Sequence, residues 1–312
     1  MPSAISVVEN PRTEQPRSSL GLWAALLPMW LALGWLVSKA QWFWNHNPEM
    51  AFGWMVLLLS AFLIWDQWKS VPRPLFEIRW PFFVFAFCGA GMLFLVQIYQ
   101  AAYGTMAALL SGLAIGVFAI CAANLHYVFG WKGIRFFAFP VLFLLIALPL
   151  PSVVYNLVVG GLQSKVSALN VEVLNLIGIP AQRIGSLIQL PNGTIGVDEA
   201  CSGIRSLQST IMATLFIGYI TLKRRGFQAA LFISGIILAF FGNVIRSLYL
   251  SLTANQQGLD AVKKVHDSAG WSILVFTAGG VILLSWLFSK MEKWLDAEQK
   301  KLEIASESTS EA

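Results

Sequence analysis

Long apolar runs separated by short polar or charged breaks dominate the chain. They cover Leu20 to Ser38, Met50 to Trp65, Trp80 to about Tyr99, Thr105 to Ala123, Ile134 to Leu150, about Ile204 to Leu222, Phe227 to Leu250 and Gly270 to Phe288. A helix that crosses a bilayer needs roughly 20 apolar residues. The pattern therefore predicts an all-α fold: a polytopic membrane helical bundle of about eight transmembrane helices. The second run is short for a span, and Pro140 is expected to bend the fifth.

Residues 151–203 break the pattern. Pro151 closes the fifth run. Val154, Leu157, Val158, Leu162, Val166, Leu169, Val173 and Leu176 then recur at helical spacing, with Asn156, Gln163, Lys165, Asn170 and Glu172 between them. That spacing predicts an amphipathic helix lying in the membrane interface, stopped by Gly178 and Pro180. Beyond it, Ile184 to Leu190 and Thr194 to Val197 flank Pro191-Asn192-Gly193. Asn-Gly between short β-prone runs signals a small β-hairpin. It leads into Asp198-Glu199-Ala200-Cys201-Ser202-Gly203. Residues 1–19, with Pro2, Pro11 and Pro16 among polar neighbours, read as a disordered tail. Residues 20–290 read as the transmembrane domain with the insert 151–203, and residues 291–312 as a second tail.

Composition supports this. Of 312 residues, 57% are hydrophobic and 12% charged, and there are 13 Trp and 22 Phe, as expected of apolar spans with interfacial aromatic belts. The net charge of +5 is scattered among loops, so it is no footprint for nucleic acid. CxxC, HExxH and P-loop patterns are absent, so no metal or other cofactor is expected. Cys88, Cys121 and Cys201 are too few for a disulfide framework. Cys88 and Cys121 lie inside apolar runs and read as small core hydrophobes.

Eight spans put both termini on one side. Arg12, Arg17, Lys69, Arg73, Arg79, Lys132, Arg135, Lys223, Arg224, Arg225, Lys290, Lys293, Lys300 and Lys301 fall there, which is 14 of the 21 Lys and Arg. The positive-inside rule then makes both termini cytoplasmic and turns 151–203 outward. Helix arithmetic adds depth. Cys201 to Lys223, Arg225 to Arg246 and His266 to Lys290 span about 33, 31 and 36 Å of helix, against a hydrocarbon core of roughly 30 Å. Cys201, Arg246 and His266 are thus expected at one level near the outer surface.

Their chemistry is complementary. A cysteine at a helix start is favoured as thiolate by the dipole, and Arg205, on the same face, is placed to assist. A thiolate attacks acyl carbon. His266 suits a general acid for the leaving amine. Arg246 is costly inside an apolar helix and suits an oxyanion or a substrate carbonyl; Asn243 shares its face. Taken singly, the cysteine reads as structural, Arg246 as a snorkelling side chain and His266 as a loop histidine. Their shared depth is what favours a site. Ser202 and Gly203 would shape the start of the helix. Asp198 and Glu199 read either as a binding spot for a basic substrate element or, more simply, as negative charge at a helix N-terminus.

With Ala200-Cys201-Ser202-Gly203-Ile204-Arg205-Ser206, Asn243-Val244-Ile245-Arg246 and His266 before the final span, the sequence resembles the exosortase/archaeosortase family of multi-spanning membrane cysteine proteases and transpeptidases. The resemblance covers roughly residues 135–290. It implies cleavage of exported proteins at a C-terminal sorting signal: a short motif such as Pro-Glu-Pro (PEP-CTERM), a transmembrane helix and a basic tail. It implies a thioacyl intermediate passed to an acceptor nucleophile that the sequence does not name. Cys201 would be nucleophile, Arg246 the oxyanion or positioning group and His266 the acid/base. It also implies the inner membrane of exopolysaccharide-producing bacteria, with the site facing the periplasm. The partners are then these exported proteins and membrane lipid. Some relatives carry an extra soluble C-terminal domain, which the roughly 22 residues after the last span do not provide. Two other classes fit the composition. One is a transporter or exopolysaccharide-export component binding an anionic substrate at Arg246. The other is an inactive assembly partner that binds transmembrane helices.

Overall fold

A computed structural model describes residues 19–47, 50–104, 107–196 and 203–310. Eleven helices are used below: α1 (Ser19–Ala25), α2 (Leu27–His46), α3 (Gly53–Gln67), α4 (Trp80–Tyr103), α5 (Ala107–Phe129), α6 (Trp131–Phe143), α7 (Ser152–Tyr155), α8 (Gly161–Leu176), α9 (Gly203–Thr221), α10 (Arg225–Gln257) and α11 (Leu259–Ser310). Between α8 and α9 lie strands β1 (Gln182–Ile184), β2 (Leu187–Leu190) and β3 (Gly193–Gly196).

Each apolar run folds mainly as helix, and large side chains such as Phe87 (82% exposed) and Trp80 (74%) face outward from α4. Apolar exposure on that scale requires a bilayer as solvent. The expected count of eight spans is not reached. Among the described residues, four helices are long and apolar enough to cross a membrane: Trp80–Tyr103, Ala108–Phe129, Arg225–Gln257 and Leu259–Ile304. The other runs fall short for local reasons. Helix α3 has 15 residues, about 22 Å. Helix α6 contains Pro140 and tightens into a 3₁₀ turn at Leu144–Ala147. Helices α2 and α9 carry Lys39, Asn45 and His46, and Gln208, Ser209 and Thr210, respectively.

Two cores form. The first gathers α2, α3, α5 and α6 around Met29, Val56, Val117, Phe129 and Phe137. Trp44 donates its indole N–H to the Ala147 carbonyl at 2.7 Å, and the Ser60 hydroxyl donates to Pro140 at 2.8 Å. Helix α9 joins this core through Phe216 and through Tyr219, whose ring stacks on Phe139 at 3.9 Å. The second core joins α8, the sheet, α10 and α11 through Val166, Leu174, Ile188, Ile195, Leu250, Ala254 and Val262. Cys121 is buried as expected, but Cys88 is exposed on α4, so it is no core residue.

The insert also departs from its reading. The amphipathic segment is one helical course interrupted by a wider π turn at Asn156–Gly160. Its buried side is Val166, Ser167, Asn170 and Leu174, while Val154, Leu157, Val158 and Leu176 stay exposed. Packing on α10 thus selects a stripe rotated from the most apolar one and buries Asn170. The expected hairpin is part of a three-stranded antiparallel sheet in the order β1-β2-β3, because Gly185 at φ +65° splits the first run. Asn175 holds the turn into β1 by a reciprocal pair with Ala181, its amide donating at 3.1 Å and accepting from the backbone N–H at 2.9 Å.

Helices α10 and α11 continue well past their expected ends. They meet at Gly258, whose φ of +84° a residue with a Cβ rarely adopts. Its N–H caps α10 on the Ala254 carbonyl at 3.0 Å. The sheet rests on this helical hairpin: Asn192 donates to the Asn255 carbonyl at 2.6 Å.

Candidate functional site

Arg246 lies on α10 twelve residues before Gly258, and His266 lies on α11 eight residues after it. The helices run antiparallel from that turn, so the two side chains come alongside each other with a small axial offset that the long arginine stem spans. Arg246 Nη2 stands 3.3 Å from His266 Nε2 and 3.5 Å from the His266 carbonyl oxygen. Gly270, one turn after His266, makes room: a Cβ there would lie 3.2 Å from Arg246 Nη2. His266 is not the opening residue of a span, as expected, but sits two turns inside α11.

A guanidinium only donates hydrogen bonds. His266 Nε2 therefore acts as acceptor here, and the ring proton belongs on Nδ1. Nδ1 faces Asp267 Oδ1 at 3.1 Å. The Asp267 side chain is 92% exposed and that of His266 32%, so the pair sits in a wet, strongly screened setting. The result is a line of groups, Asp267–His266–Arg246, running from solvent into the protein. Sequence reasoning assigned Asp267 no role, although it adjoins His266.

A cavity of about 230 Å³ opens at this line. Besides Arg246, His266 and Asp267 it is lined by Ser206 and Ser209 of α9 and by Gly270, Trp271 and Leu274 of α11. The serines and Trp271 were not foreseen. The available signals were the i, i+3 serine pair on α9 and the glycine one turn from a histidine. A second hollow of about 400 Å³ lies on the other side of His266, between β3 and the first turns of α11.

Asn243, one turn before Arg246, is 2% exposed, and both its side-chain polar atoms lack a partner among the described residues. Arg246 Nε is likewise buried without one. Among the described residues no cluster of His, Cys, Asp and Glu could hold a metal. Cys201, Ser202, Asp198 and Glu199 lie outside the described residues, as does the Arg205 side chain. Gly203 is the first residue of α9. The structure thus brings together the side chains of two of the three expected groups, Arg246 and His266.

A family model described as transmembrane exosortase matches residues 44–284. No curated protein and no solved structure matches the chain. The family match extends well beyond the three motifs, over most of the chain, and the chain belongs to the transmembrane exosortase family.

Proposed function

We propose that the chain is a membrane cysteine protease/transpeptidase that cleaves exported proteins at a C-terminal sorting signal. The observation that carries this reading is the Arg246–His266 contact inside a cavity walled by the first turns of α9, the helix that follows Cys201 directly in sequence. Eight crossings, cytoplasmic termini and a periplasmic site in a bacterial inner membrane belong to the same proposal, supported by the distribution of basic residues.

In this mechanism the Cys201 thiol gives its proton to His266 Nε2, and the thiolate adds to the scissile carbonyl carbon. Arg246 turns its donors from the imidazole to the oxyanion. The tetrahedral intermediate collapses, the C–N bond breaks, and His266 returns the proton to the departing amine. A thioester on Cys201 remains. An acceptor amine or water attacks it, loses a proton to His266, and releases the thiolate, which is reprotonated. Asp267 holds the imidazole tautomer that leaves Nε2 free to accept.

The test is a tagged reporter ending in a Pro-Glu-Pro motif, an apolar helix and a basic tail, co-expressed with the chain. Cys201→Ala is expected to abolish processing while the protein still accumulates in the membrane. Undiminished processing by that variant overturns the reading.

A further inference from the structure

The hollow beside β3 is built like a place for one more strand. In a two-residue hairpin the flanking residues exchange both hydrogen bonds, and pairing then alternates along the ladder. The register pairs Leu190 with Gly193 across Pro191-Asn192, and Ile188 with Ile195. Gly193 and Ile195 therefore spend their N–H and C=O groups on β2, and Thr194 and Gly196 aim theirs the other way. Among the described residues, no backbone group meets that outer edge. It opens into the hollow of about 400 Å³, whose opposite wall is Leu259, Val262 and Lys263 and whose end is His266.

Unpaired edges are a liability that proteins bury, charge or use. No described element pairs with this one and no proline blunts it. Thr194 is exposed, while Ile195, in the second core, and Gly196 are buried, so the accessible part of the edge is centred on Thr194. β3 begins against Leu259, since a Cβ on Gly193 would lie 3.2 Å from that side chain. The hollow shares His266 with the Arg246 cavity. From Leu259 to His266 is seven residues of helix, about 10 Å, the length of roughly three residues of strand.

We infer that β3 is a docking edge for the substrate. About three residues of the exported protein, in extended conformation, add to it as a fourth strand and deliver the scissile carbonyl to His266 and Arg246. This is β-augmentation, in which main-chain hydrogen bonds supply affinity. The occupant follows from the surface itself. Unpaired backbone donors and acceptors on Thr194 and Gly196 recognise another extended backbone, and the hollow they border shares His266 with the candidate catalytic line. The inference rests on the proposed function and specifies how that site takes its substrate.

Cross-linking tests it. In a chain with Cys88 and Cys201 replaced by alanine, Thr194→Cys is combined with single cysteines placed along about eight residues ahead of the reporter's apolar helix. Disulfide-linked product is expected at every second position, because only alternate side chains of a paired strand face the same way. Separately, Thr194→Pro removes one outward N–H, and processing is expected to fall about tenfold, the value of one hydrogen bond. Should the proline variant not accumulate, the cross-linking pattern decides alone. Absent cross-links, or equal ones at consecutive positions, with a wild-type chain that processes the reporter, overturn strand addition and leave the protease reading standing. A wild-type chain that leaves the reporter intact overturns both.

Discussion

At the scale of single residues, the informative contact is Arg246 against His266, because it fixes which imidazole nitrogen carries the proton. Asp267 then has a defined job and a small one. Its carboxylate is almost fully exposed, and an exposed ion pair is worth only a few tenths of a kcal/mol up to about 1. Asp267→Ala is accordingly expected to lower kcat for reporter cleavage about threefold, to leave KM unchanged, and to alter the pH–rate profile. Asp267→Asn, whose carbonyl still accepts from Nδ1–H, restores most of the rate. A hundredfold loss, or no rescue by asparagine, would show that the carboxylate acts otherwise. Asn243 shows the limit of reading single residues. Its position beside Arg246 was legible from i, i+3 spacing. Its burial without a partner depends on how α10 packs, which spacing does not encode.

At the scale of elements, helix arithmetic set Arg246 and His266 at one level, and the two side chains do meet, because both lie on unbroken antiparallel helices. The same method missed where those helices stop. Thr253, Asn255, Gln256 and Gln257 lie past the apolar run that ends at Leu250, yet α10 continues through them to Gly258, packed against the sheet and α8. The polar end of α11 was also read as tail, and it does structural work. Glu292 is 4% exposed. Its carboxylate accepts from the backbone N–H of Lys223, at 3.0 and 3.1 Å, and from that of Arg224, next to the first turn of α10. Arg224 pairs with Asp296 one turn on. Hydrogen bonds to a charged group contribute about 1.5–3 kcal/mol each. Glu292→Ala is expected to lower the thermal midpoint of the detergent-solubilised protein clearly, whereas Glu303→Ala, at an exposed site on the same helix, leaves it unchanged. Equal midpoints would contradict the anchoring role.

At the scale of the molecule, the membrane class was plain from composition, since outward Trp and Phe have no other solvent. The number of crossings was not. A hydrophobic run records apolar content, but not whether proline, a 3₁₀ turn or short length interrupts the helix it forms. The proposed orientation can be checked with cysteines placed at the two ends of the last helices. An impermeant thiol reagent added to intact spheroplasts is expected to label Lys263→Cys and to spare Lys223→Cys; the opposite pattern inverts the molecule. The same proposed orientation sets Glu292 and Arg224 at the far side of the bilayer from His266.

The guanidinium resting on the imidazole has a consequence for the proposed protease, surrounded as it would be by foreign helices. Under the proposed mechanism, Nε2 engaged by Arg246 is a proton acceptor already occupied. A passing polypeptide that does not present a carbonyl to draw the arginine away finds a thiol with no base to wake it. Membrane proteins in transit would brush past a safety catch, and the one that fits would release it.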